Sequence, residues 1–296
     1  MKKFGLIGHP IAHSLSPALF KAAYDGKYAY DLIEGEDFEA SYRRFAEEYD
    51  AINVTAPFKE PAFFKAEILS EECKATGATN LLVKTPEGIK AYNSDFLGVR
   101  MWLSEAAEDL KGVLPPWPQG SRANSKQPGG LLQRAAPTEW AGFLSDPQLP
   151  LKGVNILIVG LGGAGKAAAA AAESLGMEVI RMNRTVRDST THPLDEFRQY
   201  FREADIIIYN IPTAIPELKE LTESDFAADR PKHILEANYR DPSFDGALIN
   251  RMKAANPDAT YTEGLAWLLA QAVTGYEIFT GETPDEEAMR AVIKSK

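Results

Sequence analysis

Along the first hundred residues, short apolar runs alternate with amphipathic ones. Residues 4–8, 28–33, 51–54 and 80–83 have the makeup of buried strands, and segments 16–24, 37–48 and 61–69 between them carry apolar residues at helical spacing. This alternation predicts an α/β fold with a mainly parallel sheet. Residues 95–107 predict a longer helix, with Phe96, Val99, Leu103 and Ala106 along one face. A second series opens at 154–159 and runs strand, glycine turn, helix 163–175, strand 178–182, helix 193–203, then strands 205–209 and 233–237. That is the order expected of a nucleotide-binding α/β half. Leu265, Leu268, Leu269, Ala272, Tyr276 and Phe279 mark another long amphipathic helix, followed by one over 284–293.

Between the two series the pattern stops. Residues 112–150 hold seven of the nineteen prolines and two of the four tryptophans, which predicts little regular structure there. The segment reads as a surface excursion pinned by Trp117, Trp140 and Phe143, with a lid over a site as the alternative.

Composition narrows the class. At 296 residues and 45% hydrophobic, the chain can bury two cores. Its formal charge of −10 should repel nucleic acid and anionic membranes, yet a locally positive pocket for a small anion remains compatible with it. Cys73 is the only cysteine, which excludes an intrachain disulfide and a cysteine metal cluster and fits a reducing cytoplasm. The apolar run behind Met1 is too short for a secretory signal, and the most membrane-like stretch, 155–172, contains Lys166 and four glycines. His9, His13, His192 and His233 lack metal-ligand spacing, so no metal is expected.

The clearest chemical signal is Gly160-Leu161-Gly162-Gly163-Ala164-Gly165, a G-x-G-x-x-G that follows a predicted strand and opens an alanine-rich helix. Gly160 permits the tight turn and Gly162 lets a pyrophosphate approach the backbone. The amides from Gly163 through Ala164 to Gly165 then face its charge. An NAD-type site places a carboxylate at the end of the next strand, where this chain has Asn183-Arg184-Thr185. Arg184 offers a planar cation for a 2′-phosphate and Thr185 a hydroxyl, which favours NADP.

In the first series, polar residues gather at predicted strand ends and turns. Ser14 and Ser16 lie at a helix start, where hydroxyls and free amides can hold a carboxylate or simply cap the helix. Lys59 follows the turn after 51–54, and Asp95 opens the 95–107 helix. Together they could relay a proton during hydride transfer; singly, they read as a solvated lysine and an N-cap. Asn80 and Gln271 can hydrogen-bond ring hydroxyls or serve structural roles.

Residues 8–17 (Gly-His-Pro-Ile-Ala-His-Ser-Leu-Ser-Pro), 53–59, 77–80, 93–95, the glycine loop, 183–185 and 264–271 occur in one order, and in that order the chain resembles the shikimate dehydrogenase family. The likeness spans nearly everything outside 112–150. It implies reversible NADPH-dependent reduction of 3-dehydroshikimate to shikimate, on the way to chorismate and the aromatic amino acids. It implies that Ser14 and Ser16, helped by Tyr239, bind the substrate carboxylate, and that Thr55, Asn80 and Gln271 address the hydroxyls. Lys59 and Asp95 would be the catalytic pair. The implied fold is a split substrate domain, residues 1–103 with 264–296, a linker or insert at 104–151, and an NADP-binding Rossmann-like domain at 152–263. The chain departs from the pattern at Thr79 and Leu81 around Asn80, at Ser94 before Asp95, and in the loop Asn210-Ile211-Pro212-Thr213. Arg187 also stands one residue closer to Arg184 than a common second phosphate-binding arginine of the family. A dual-specificity quinate/shikimate dehydrogenase and a non-catalytic nucleotide- or metabolite-binding protein remain open. Retention of Lys59 and Asp95 speaks against the latter. A monomer or a homodimer is expected.

Overall fold

The computed structural model describes residues 2–111, 151–227 and 230–295. The expected insert therefore lies outside the described residues for almost all its length. The described chain divides into two compact units, one running to Gly98 and resuming at Leu269, the other between Val99 and Leu268. Both divisions fall within continuous helices, at 98/99 and 268/269, each five residues from the expected domain bounds at 103/104 and 263/264. A helix is a rigid rod that can change packing partners partway along, and sequence pattern marks only its ends.

The first unit is built on a six-stranded sheet in the order β2-β1-β3-β5-β6-β4. Its strands are β1 (Lys3–Gly8), β2 (Ala29–Glu34), β3 (Ala51–Val54), β4 (Ile68–Leu69), β5 (Leu81–Thr85) and β6 (Gly88–Tyr92). β1 pairs parallel with both β2 and β3, and β4 with β6, but β3–β5 and β5–β6 are antiparallel. The sheet of this unit is thus mainly parallel, as expected, with β5 alone reversed. The reason is a hairpin closed at Thr85 to Gly88, where the Thr85 hydroxyl donates to the Gly88 carbonyl at 2.9 Å and accepts the Glu87 amide at 3.3 Å. Helices α1 (Ser16–Ala23), α2 (Phe38–Glu48), α3 (Lys59–Lys65), α4 (Glu71–Thr76) and the start of α5 (Ser94–Lys111) complete this part. The segment expected as one helix over 61–69 is split between α3 and β4. Ile7, Ile52, Val54, Phe45, Phe58 and Leu82 are buried together on one side of the sheet, each worth roughly 1.5–3 kcal/mol relative to exposure.

The second unit holds an all-parallel sheet in the order β12-β11-β10-β7-β8-β9. These are β7 (Asn155–Val159), β8 (Glu178–Met182), β9 (Thr191–His192), β10 (Ile206–Tyr209), β11 (His233–Glu236) and β12 (Thr260–Thr262). The chain runs from β7 to β8 on one side and then to β10 on the other, so the end of β7 lies at a topological switch point, where such sheets bind ligands. Helix α6 (Gly163–Ser174) follows β7 and buries all six alanines from Ala167 to Ala172, small side chains that let it lie close to the sheet.

Lys232, just before β11, is 1% exposed. Its ammonium donates to the carbonyls of Phe201 at 2.8 Å and of Ala204, at the end of helix α7 (Phe197–Glu203). Burial lowers its pKa to about 8 from 10.5, against the pull of Asp205. Between those values the unfolded chain holds a proton that the folded one lacks, so stability rises with pH across that window. The contribution reaches about 3 kcal/mol. Lys232→Met is expected to flatten this rise in urea midpoints measured from about pH 8 to pH 10. A variant with the wild-type slope would contradict it.

Candidate active site

Lys59 is the first residue of α3 and is aimed by its neighbours. The turn after β3 closes with the Phe58 amide on the Thr55 carbonyl at 2.9 Å, and Phe58 is buried in the core. The Lys59 carbonyl in turn accepts the Thr79 amide at 3.2 Å. Asp95 lies in the first turn of α5, whose amides are capped by another residue: the Phe96 amide donates to Asn93 Oδ1 at 3.2 Å. Asn93 thus takes the N-cap role that sequence left open for Asp95. Lys59 Nζ and Asp95 Oδ2 form a direct hydrogen-bonded ion pair, with side chains 22% and 15% exposed. Two groups 36 positions apart are thus joined at the surface of the first unit, reachable by a small molecule.

Beside this pair lies a polar chain that sequence did not reveal. Asn80 Nδ2 donates to Ser94 Oγ at 3.0 Å and Asn80 Oδ1 accepts the Ser94 amide at 2.7 Å. Ser94 Oγ donates to Gln271 Oε1 at 3.2 Å. Ser94 is fully buried and immediately precedes Asp95, so Asn80 and Gln271 are coupled to the start of α5. Gly98 permits the close crossing behind them: a Cβ there would sit 2.9 Å from the Gln271 amide nitrogen.

Ser14 and Ser16 form a second polar cluster in the same unit. Ser14 Oγ accepts the Ser16 amide at 3.2 Å and donates to Ser16 Oγ at 3.1 Å, while the α1 N-cap position, Leu15, has no side-chain cap. Tyr276 donates its hydroxyl to the Ser16 carbonyl at 3.1 Å, and Tyr30 donates to Asn53 Oδ1 at 2.7 Å. Burial holds both phenols above their ordinary range, and both face the Ser16 side chain. They are fixed hydroxyls near neutral pH. Sequence pattern missed them because it reads Tyr30 as strand and Tyr276 as part of an apolar helix face. Thr55 stands at the end of β3, its methyl close enough to Gly8 that a Cβ there would collide at 2.4 Å.

The second unit carries the glycine loop, and three of its four glycines have different physical reasons. Gly160 has φ +90°, a conformation side chains resist. A Cβ on Gly165 would fall 1.9 Å from the Gly160 carbonyl oxygen, whereas around Gly162 a Cβ would meet nothing within 4 Å. That opening sits at the start of α6, whose N-cap Gly162 offers no side chain to its first amides. The cradle fits a dinucleotide pyrophosphate. After β8, Asn183 donates its amide to the His192 carbonyl at 3.0 Å and its Nδ2 to the Thr185 carbonyl at 3.3 Å. Asp188 shapes the same loop by accepting from Thr190 and Thr191, and those bonds lower its pKa. Arg184 and Thr185 project from it exposed. Tyr239 follows β11 in this unit, with the Arg240 guanidinium 5.6 Å from its ring centre.

Residues 6–82 match the family model described as shikimate dehydrogenase substrate binding domain, and residues 131–235 match that of the D-isomer specific 2-hydroxyacid dehydrogenase, NAD binding domain. A shikimate dehydrogenase (NADP(+)) of Natronomonas pharaonis is 28% identical, covering 100% of this chain and 99% of the relative. The chain is similar to shikimate dehydrogenases over its full length. A crystal structure of shikimate 5-dehydrogenase from Thermus thermophilus in complex with shikimate is 25% identical at TM-score 0.67, covering 100% of this chain and 98% of that one. A quinate dehydrogenase from Corynebacterium glutamicum in complex with NAD, 18% identical at TM-score 0.69 over 100% of this chain and 99% of that one, shares the fold. The two-domain α/β architecture, with an N-terminal substrate-binding domain and a Rossmann-like domain, is that of the shikimate dehydrogenase family. No helix among the described residues is long and apolar enough to cross a membrane.

Proposed function

We propose that this chain is an NADP-dependent shikimate dehydrogenase, reversibly reducing 3-dehydroshikimate to shikimate in the pathway to chorismate and aromatic amino acids. The observation that carries this reading is the Lys59–Asp95 ion pair beside the Asn80–Ser94–Gln271 chain. Full-length likeness to shikimate dehydrogenases supports it. Lys59 gives its proton to the substrate carbonyl oxygen in reduction and takes one from the hydroxyl in oxidation. Asp95 holds the ammonium and orients the reacting oxygen. Ser14 and Ser16, with Tyr239, take the carboxylate; Thr55, Asn80 and Gln271 take ring hydroxyls. Gly160, Gly162, Gly163, Ala164 and Gly165 would hold the pyrophosphate of NADP, and Asn183, Arg184 and Thr185 its 2′-phosphate end. When bound, NADP supplies or accepts the hydride. Residues 1–103 with 264–296 then act as the substrate domain and 152–263 as the NADP-binding domain. The enzyme works in the cytoplasm as a monomer or homodimer, without a metal, a membrane or nucleic acid.

Purified protein given shikimate and NADP+ at alkaline pH is expected to form NADPH and 3-dehydroshikimate, because oxidation also releases a proton. No product under those conditions would refute the reading, and faster turnover of quinate would favour the dual-specificity alternative. Arg184→Ala is expected to raise KM for NADP by about 10- to 100-fold, the size of a lost charge-assisted bond, and to leave that for NAD unchanged. A wild-type preference for NAD would overturn the cofactor assignment.

A further inference from the structure

The second unit holds a carboxylate that the proposed reaction does not use. Glu236 ends β11 and is fully buried. It accepts the amides of Ser243 at 2.5 Å and Phe244 at 3.2 Å, and the phenol of Tyr261 at 2.8 Å. These bonds fold the following segment back onto the strand end, and Tyr239 lies in that segment. Asn238 pins it from a second side. Its Nδ2 donates to the carbonyls of Pro212 at 2.9 Å and Asp241 at 2.6 Å, and its Oδ1 accepts the Arg240 amide at 3.2 Å. On the third side, a Cβ on Gly264 would lie 2.4 Å from the Ala237 carbonyl, so the backbone before Asn238 is closely backed.

A buried carboxylate with three donors is costly to disturb, since each donor would be left unpaired. All three donors lie in the segment after β11 or on β12, and none belongs to the glycine loop. We propose that Glu236 and Asn238 are positioning residues that set the direction of the Tyr239 hydroxyl and thereby the affinity for the substrate carboxylate. This rests on the reading that Tyr239 binds that carboxylate. Asn238 also ties this turn to the loop after β10, the place where the sequence departs from the family pattern.

The test is a steady-state comparison of Tyr239→Phe, Glu236→Gln, Asn238→Ala and the double variants with Tyr239→Phe, using shikimate and NADP+. Glu236→Gln keeps the shape but turns a donor NH2 toward donors. Tyr239→Phe is expected to raise KM for shikimate about 10-fold. Glu236→Gln and Asn238→Ala are expected to raise it by about 3- to 10-fold with KM for NADP unchanged. Each double variant should be no worse than Tyr239→Phe alone, a non-additivity that general loss of stability would not produce. If Glu236→Gln fails to fold, Asn238→Ala carries the comparison. Single effects that multiply, or an unchanged KM for shikimate in the positioning variants while Tyr239→Phe raises it, would overturn the proposal alone. An unchanged KM in Tyr239→Phe would overturn the substrate role of Tyr239 together with it.

Discussion

Lys59→Ala is expected to lower kcat by about 100- to 10,000-fold, the range of a lost general acid–base group, with KM for shikimate changed by only a few fold. The expectation follows from where the ammonium is held. It is partly exposed, paired with Asp95, and fixed at the start of α3 by a buried Phe58 and a backbone bond from Thr79. A lysine serving only solubility would have no such restraint. In reduction, negative charge grows on the carbonyl oxygen as hydride arrives at carbon, and a proton delivered at that moment lowers the barrier without tightening ground-state binding. The effect therefore belongs in kcat. A rise in KM with kcat preserved would make Lys59 a binding residue instead.

The glycine loop gives the second large effect, because two neighbouring substitutions should fail for different reasons. At Gly165 a methyl would fall 1.9 Å from the Gly160 carbonyl oxygen, backbone against backbone. The loop must shift to admit it. Gly165→Ala is expected to cost about 3 kcal/mol or more and to abolish NADP binding. That corresponds to a fall in Tm of about 6–12 °C. At Gly162 the same methyl meets nothing within 4 Å in the protein. Gly162→Ala should therefore keep its Tm within about 2 °C while losing NADP affinity, because the methyl occupies the space the pyrophosphate needs. Thermal melts with and without NADP separate the two. Equal destabilisation by both variants, or undiminished NADP binding in Gly162→Ala, would contradict this account of the cradle.

What sequence reveals and what it hides follow from how far each signal reaches. β7, the glycine turn and α6 are contiguous, so one stretch of chain contains the strand, the φ-positive residue and the helix start that define the phosphate site. The parallel sheet of the second unit was legible for the same reason, since each crossover is local. The antiparallel β5–β6 hairpin was not, because Gly88–Tyr92 is a short run without strong alternation, and the single reversed strand, β5, passed as one more parallel strand. The ion pair of Lys59 and Asp95 required two helix starts to meet, which the order of motifs implied through family resemblance and spacing could not. Ser94 went unassigned because its value is positional: a small buried hydroxyl between two amides, one of them 177 residues away. Tyr30 and Tyr276 were hidden behind their rings, which read as core, while their hydroxyls hold the Ser16 turn and Asn53.

The double-mutant cycle of Lys59→Ala and Asp95→Asn in kcat/KM for shikimate oxidation by NADP+ most directly tests whether the two side chains act as one device. With each single variant strongly impaired, the account predicts that the double variant is no slower than the worse single one. Losses that multiply, or an Asp95→Asn enzyme as fast as the wild type, would contradict it.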